Sequence, residues 1–141
     1  MIIGYTTGVF DLFHIGHLNV LRKSKSMCDR LIVGVSTDEL LFEYKKKHPV
    51  IPFEERCQIV QHIEYVDLVV PQVSMDKIEA WKKNKFDIVF VGDDWYETDK
   101  WNDIEFELKN IGVNVIYFPY TTTTSSTLIN EILNEKRNLL K

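Results

Sequence analysis

A chain of 141 residues, 45% hydrophobic and 27% charged, has the composition of an ordinary water-facing globule with a sizeable core, and one domain over 1–141 is expected. Lys and Arg total 17 against 21 Asp and Glu, a net charge of −4, which argues against non-specific binding to nucleic acid or an anionic membrane. Cys28 and Cys57 are too few for a disulfide framework or a zinc site. No apolar run approaches the roughly 20 residues of a membrane span, and Met1-Ile2-Ile3-Gly4 has no basic stretch ahead of an apolar one, so the reducing cytoplasm is the expected compartment.

The first strand-type run is Ile2–Thr7, apolar and β-branched, closing on a turn at Gly8. A segment with helical spacing follows, marked by Leu18, Leu21 and Met27. Leu31–Ser36 is a continuous apolar run, the pattern of a strand covered on both faces. Ile59, Val60 and Ile63 mark the next helix, Val66–Val70 the third strand, and Ile78 with Trp81 a helix after it. Asp87–Val91 is the fourth strand, Ile104, Leu108 and Ile111 a helix, Val113–Phe118 the fifth strand, and Leu128, Ile129, Ile132 and Leu133 a last helix. Strands alternating with helices across short connections give parallel βαβ units. The expected fold class is therefore α/β, a Rossmann-like three-layer α/β/α arrangement around a five-stranded parallel sheet.

Ligands of such sheets bind beyond the carboxyl ends of the strands, near the switch point in strand order. The segments there are 7–17, 36–48, 71–77, 92–95 and 119–127; 71–77 has no chemical signature of its own, and the other four do. The first contains Gly8-Val9-Phe10-Asp11-Leu12-Phe13-His14-Ile15-Gly16-His17, two histidines three apart where a strand hands over to a helix. Side by side over the helix start, among free N–H groups and the positive dipole end, they suit a polyphosphate; on an ordinary turn they are capping or metal-binding residues. Glu43-Tyr44-Lys45-Lys46-Lys47-His48 is a basic cluster in an acidic chain, either a phosphate grip or a solvated loop. Arg56 opens the next helical segment and has Glu55 beside it for a surface ion pair. Gly92-Asp93-Asp94-Trp95 reads as a turn whose carboxylates cap backbone N–H groups, with Trp95 the tryptophan nearest a ligand. Ser125, Ser126 and Thr127 enter the last helix, where hydroxyls and free N–H groups can cap it or bind phosphate.

Gly8-x-Phe10-Asp11-x-x-His14-x-Gly16-His17 resembles the signature of the nucleotidyltransferases that carry an H-x-G-H motif. Ser36-Thr37-Asp38-Glu39, Glu54-x-Arg56, Tyr65-Val66-Asp67 and Gly92-Asp93-Asp94-Trp95 extend the similarity to the cytidylyltransferase family, and to its branch acting on glycerol 3-phosphate, over nearly the whole length. The resemblance implies transfer of CMP from CTP to glycerol 3-phosphate or a similar polyol phosphate, with release of pyrophosphate and a CDP-alcohol product for cell-wall or capsule polymers. It also implies a divalent cation such as Mg²⁺ accompanying CTP, and a homodimer. An ATP-dependent adenylyltransferase of the same superfamily and a non-catalytic nucleotide-binding module are the alternatives.

Carried over onto this chain, the catalytic set is His14, His17, Lys47 and Arg56, the last reaching the triphosphate. Gly8, Val9, Phe10, Asp11, Gly16 and the two histidines would hold the nucleotide, together with Lys47, Gly92, Asp94 and Trp95. Tyr120, Thr121, Ser125, Ser126 and Thr127 complete that set. Lys45 and Lys47 match a pair on the acceptor phosphate and the CTP phosphates; a one-residue slip keeps Lys46 in the acceptor set, which also includes Lys77. Asp11 either orders its loop or helps to hold the metal. The chain departs from the family in the last segment, where Tyr120 replaces an arginine and Thr123 a glycine. A lysine then substitutes for the lost cation, or the substrate differs.

Overall fold

The computed structural model describes residues 1–92, 96–119 and 126–139. The first half runs β1 (Ile3–Gly8), α1 (Ile15–Ser26), β2 (Arg30–Ser36), α2 (Asp38–Lys45), α3 (Phe53–Gln61) and β3 (Leu68–Gln72). The second runs α4 (Lys77–Asn84), β4 (Ile88–Gly92), α5 (Asp99–Asn110), β5 (Asn114–Phe118) and α6 (Ser126–Leu139). The five strands form one sheet in the order β3-β2-β1-β4-β5, and every pairing is parallel. The chain winds outward from β1 to β3, then returns to the other side of β1 for β4. The switch point therefore falls between the carboxyl ends of β1 and β4.

Alternation along the strands splits the core between the two faces. Leu31, Val33, Val35 and Phe90 pack with Leu21 of α1 and Val60 of α3. Tyr5, Ile32 and Val89 pack with Trp101 and Leu108 of α5, and Ile78 and Trp81 of α4 lie against that cluster. The sheet tolerates no side chain at Gly34, where a Cβ would stand 2.6 Å from the Tyr5 hydroxyl, and Tyr5 is itself stacked on Phe86 at 4.5 Å.

The expected α/β sheet and all five strands are present. The third strand runs Leu68–Gln72 rather than 66–70, carrying Gln72 to the ligand edge. The structure adds α2 inside the segment read as a basic loop. Thr37 caps it, its hydroxyl accepting from Leu40 N at 3.1 Å, and it ends at Lys46 with φ 56°. Only the adjacent Leu40 and Leu41 are buried in it, so no helical periodicity announces it.

Candidate active site

The turn between β1 and α1 is held in a costly conformation. Phe10 and Leu12 have φ of 54° and 51°, a left-handed region that bulky residues rarely occupy. Two buried polar anchors hold it. Asp11 accepts from Val50 N at 2.8 Å and from Ile51 N at 2.9 Å, one bond to each carboxylate oxygen. Arg56 is fully buried; its Nη1 donates to Val9 O at 2.7 Å and Ser36 O at 2.8 Å, and its Nε to Ile51 O at 2.8 Å. Its Nη2 pairs with the Asp38 carboxylate.

Arg56 was expected to reach the triphosphate. Its guanidinium is committed to the backbone of three segments and to Asp38, and it is not among the cavity-lining residues, an arrangement that suits a positioning role. Asp11 is likewise the organiser of its loop. Among the described residues no group of three His, Cys, Asp or Glu side chains could hold a metal ion. With both Asp11 oxygens accepting from backbone N–H groups, the described residues offer no ready-made site for a resident metal.

His14 and His17 open α1 in a reciprocal cap. His14 Nδ1 accepts from Gly16 N at 3.0 Å, and His17 Nδ1 accepts from His14 N at 3.2 Å. The rings stack with centroids 4.0 Å apart. An Nδ1 that accepts a backbone N–H carries no hydrogen, so each neutral ring carries its proton on Nε2. Burial lowers the pKa of both; for His17, burial and then the neighbouring His14 bring it to about 4, with Asp11 acting in the opposite sense. Phe10 and Phe13, with ring centroids 5.4 and 5.2 Å from that of His17, form its apolar surround.

Both histidines line a cavity of about 540 Å³ at the switch point, bounded by the carboxyl ends of β1 and β4 and by α1, α2 and α4. Gly8, Val9, Phe10, Asp11, Gly16 and Gly92 of the expected nucleotide set line it too. So do Lys45 and Lys47, whereas the left-handed turn at Lys46 carries its ammonium over the Phe42 ring, 5.9 Å from the centroid, and away from the cavity. Of the three lysines, the cavity is therefore lined by Lys45 and Lys47. Lys77 is buried in the cavity wall and donates to Thr7 Oγ1 at 3.1 Å. Burial and the nearby Lys100 lower its pKa to about 8, while Asp76 acts in the opposite sense.

Ser36, Tyr44, Gln72, Lys100 and Trp101 also line the cavity and were not singled out from sequence as site residues. They come from the ends of β2 and β3 and from α2 and α5, brought together only by the strand order. Position gave a partial signal, since Ser36 and Gln72 close strands at the ligand edge. Asp94 and Trp95, Tyr120, Thr121 and Ser125 lie outside the described residues; Ser126 and Thr127 fall in the first turn of α6, and the description does not extend to their side chains.

The arrangement supplies neutral N–H donors at a helix N-terminus, with lysine side chains lining the same cavity. That combination stabilises charge on phosphoryl oxygens without a covalent intermediate. With the parallel sheet it defines a nucleotidyltransferase of the H-x-G-H type. The chain belongs to the cytidylyltransferase-like family, whose model it matches over residues 5–134. It is similar to glycerol-3-phosphate cytidylyltransferase of Bacillus spizizenii, 38% identical over 126 residues that cover 88% of this chain and 91% of that one. It is also similar to FAD synthase of Pyrococcus horikoshii, 38% identical over 119 residues covering 80% and 77%. Among solved structures, the lipopolysaccharide core biosynthesis protein of Thermoplasma volcanium matches with a TM-score of 0.72 at 26% identity, covering 88% of this chain and 99% of that one.

Proposed function

We propose that the protein transfers CMP from CTP to glycerol 3-phosphate or a similar polyol phosphate. An oxygen of the acceptor phosphate forms a bond to the α-phosphorus, the α–β P–O bond breaks, and pyrophosphate leaves with the electron pair. The observation that carries the reaction type is the His14–His17 pair, two Nε2–H donors at the start of α1. A phosphate monoester is already nucleophilic near neutral pH, so positioning and charge stabilisation suffice and no strong base is needed. Lys45, Lys47 and Lys77 would neutralise the phosphates of donor and acceptor. The named cytidylyltransferase relatives support CTP and glycerol 3-phosphate. Mg²⁺ would arrive with the nucleotide, held by phosphate oxygens and water.

Homodimerisation, a cytoplasmic location and use of the product in cell-wall or capsule polymers belong to this proposal. Among the described residues, no helix is long and apolar enough to cross a membrane. The FAD synthase relatives favour one second reading, ATP-dependent adenylyl transfer. Pyrophosphate release measured with each of the four nucleoside triphosphates against a panel of sugar, polyol and flavin phosphates separates the two. Turnover with CTP and glycerol 3-phosphate is expected. Turnover confined to ATP and a flavin phosphate would establish the second reading, and no turnover with any pair would favour a binding module.

A further inference from the structure

Gln72 closes β3 and is buried at 5% exposure, yet its side chain lines the cavity. It stands in register with Ser36 at the end of β2, and its Oε1 accepts from the Ser36 hydroxyl at 2.8 Å. Its amide nitrogen, with two hydrogens to donate, meets the thioether sulfur of Met75 at 3.8 Å as its acceptor among the described residues. A thioether is a weak acceptor, and an under-bonded buried amide is an expensive feature to keep.

The surroundings say what would complete it. The direct partners of the amide, Ser36 and Met75, are uncharged, and the Tyr44 phenol is hydrogen-bonded to Ser36, with burial holding it protonated. Lys77, lining the same cavity, supplies the cation a phosphate requires. A neutral N–H donor whose direct partners are uncharged matches a neutral oxygen carried beside a phosphate, as in a hydroxylated phosphate monoester. We propose that Gln72 determines acceptor specificity, its Nε2 donating to a hydroxyl oxygen of the polyol phosphate. This rests on the transfer proposed above and assigns the part of the cavity that reads the polyol.

The test compares glycerol 3-phosphate with n-propyl phosphate, which keeps the phosphate and carbon chain and lacks both hydroxyls, by pyrophosphate release with CTP. The wild type should prefer glycerol 3-phosphate. Gln72→Met should lower kcat/KM for glycerol 3-phosphate by roughly 10–100-fold and for n-propyl phosphate by far less, collapsing the preference. CTP titration of the variant reports whether it folds. Should it not fold, NMR of the wild type replaces it: the Gln72 side-chain amide resonances should shift with glycerol 3-phosphate and stay in place with n-propyl phosphate. Equal losses for the two acceptors, no loss for either, or equal amide shifts with both would overturn the inference while leaving the transfer reaction intact. A wild type that turns over neither acceptor removes the proposed function, and the inference with it.

Discussion

His14 and His17 fix each other's tautomer: the backbone N–H of His14 donates to His17 Nδ1, while His14 Nδ1 takes the N–H of Gly16. The cap that starts α1 is thus the device that puts two Nε2–H donors at the helix N-terminus. A residue that caps with a carboxylate or hydroxyl would start the helix equally well and supply neither donor.

Replacing either histidine should therefore act on the chemical step more than on nucleotide binding. His14→Ala and His17→Ala are expected to lower kcat on the order of 10²–10³-fold, with the CTP dissociation constant changing by only a few fold. Steady-state kinetics combined with equilibrium binding check this. A variant with wild-type kcat and a raised KM would reduce that histidine to a ground-state contact.

The same burial makes stability depend on acid pH. His17 has a folded pKa of about 4 against 6.5 for the free side chain, so between these values the unfolded chain binds a proton that the native protein does not. Stability is then fully present above about pH 6.5, falls as the pH drops toward 4, and levels off below. Urea unfolding across pH 4–7 should show this fall, and His17→Asn should flatten it. An identical slope in the variant would assign the acid sensitivity to other groups.

Lys77 is the buried cation of the cavity wall, and its depressed pKa shows that the ligand-free site holds charge at a cost. Between pH 8 and 10.5 the unfolded chain binds the proton and the native protein does not, so the stability of the ligand-free protein should rise with pH over that window. Lys77→Met should raise the melting temperature at pH 7 and lower kcat/KM for the acceptor by at least about tenfold, a trade of stability against function. Calorimetry of the two proteins, with and without inorganic pyrophosphate, measures both sides. A destabilised variant with full activity would contradict it.

Arg56 should behave as a structural residue. Its removal strands the carbonyls of Val9, Ser36 and Ile51 and leaves Asp38 without its cationic partner. Arg56→Met is expected to cost about 3–5 kcal/mol in unfolding free energy. Arg56→Lys, lacking the planar fork, should recover only part of that. A variant of normal stability with kcat reduced on its own would return Arg56 to the catalytic set.

The strands were legible because parallel strands covered on both faces read as unbroken apolar runs, as Leu31–Ser36 does. The histidine string was legible because it follows one such run and opens a helix. Arg56 was not: a buried guanidinium and a surface one look alike in sequence, and its partners lie as far off as Val9, 47 positions away. Nor was α2, whose buried face is only Leu40 and Leu41. Which of Lys45, Lys46 and Lys47 line the cavity depends on the left-handed turn that ends that unseen helix. Gln72 and Lys100 carry no motif; only the strand order brings them to the cavity that His14 also lines.

The claim on which the mechanism turns is that both histidines are neutral Nε2–H donors at working pH. Long-range ¹H–¹⁵N NMR of the imidazole rings reads this directly, since protonated and unprotonated ring nitrogens have well-separated shifts. Near pH 7 in the ligand-free protein, His14 and His17 should each show a hydrogen-bearing Nε2 and a bare Nδ1, with His17 holding that state as the pH is taken down to about 5. An imidazolium at neutral pH, or a proton on Nδ1 of either ring, would contradict the account.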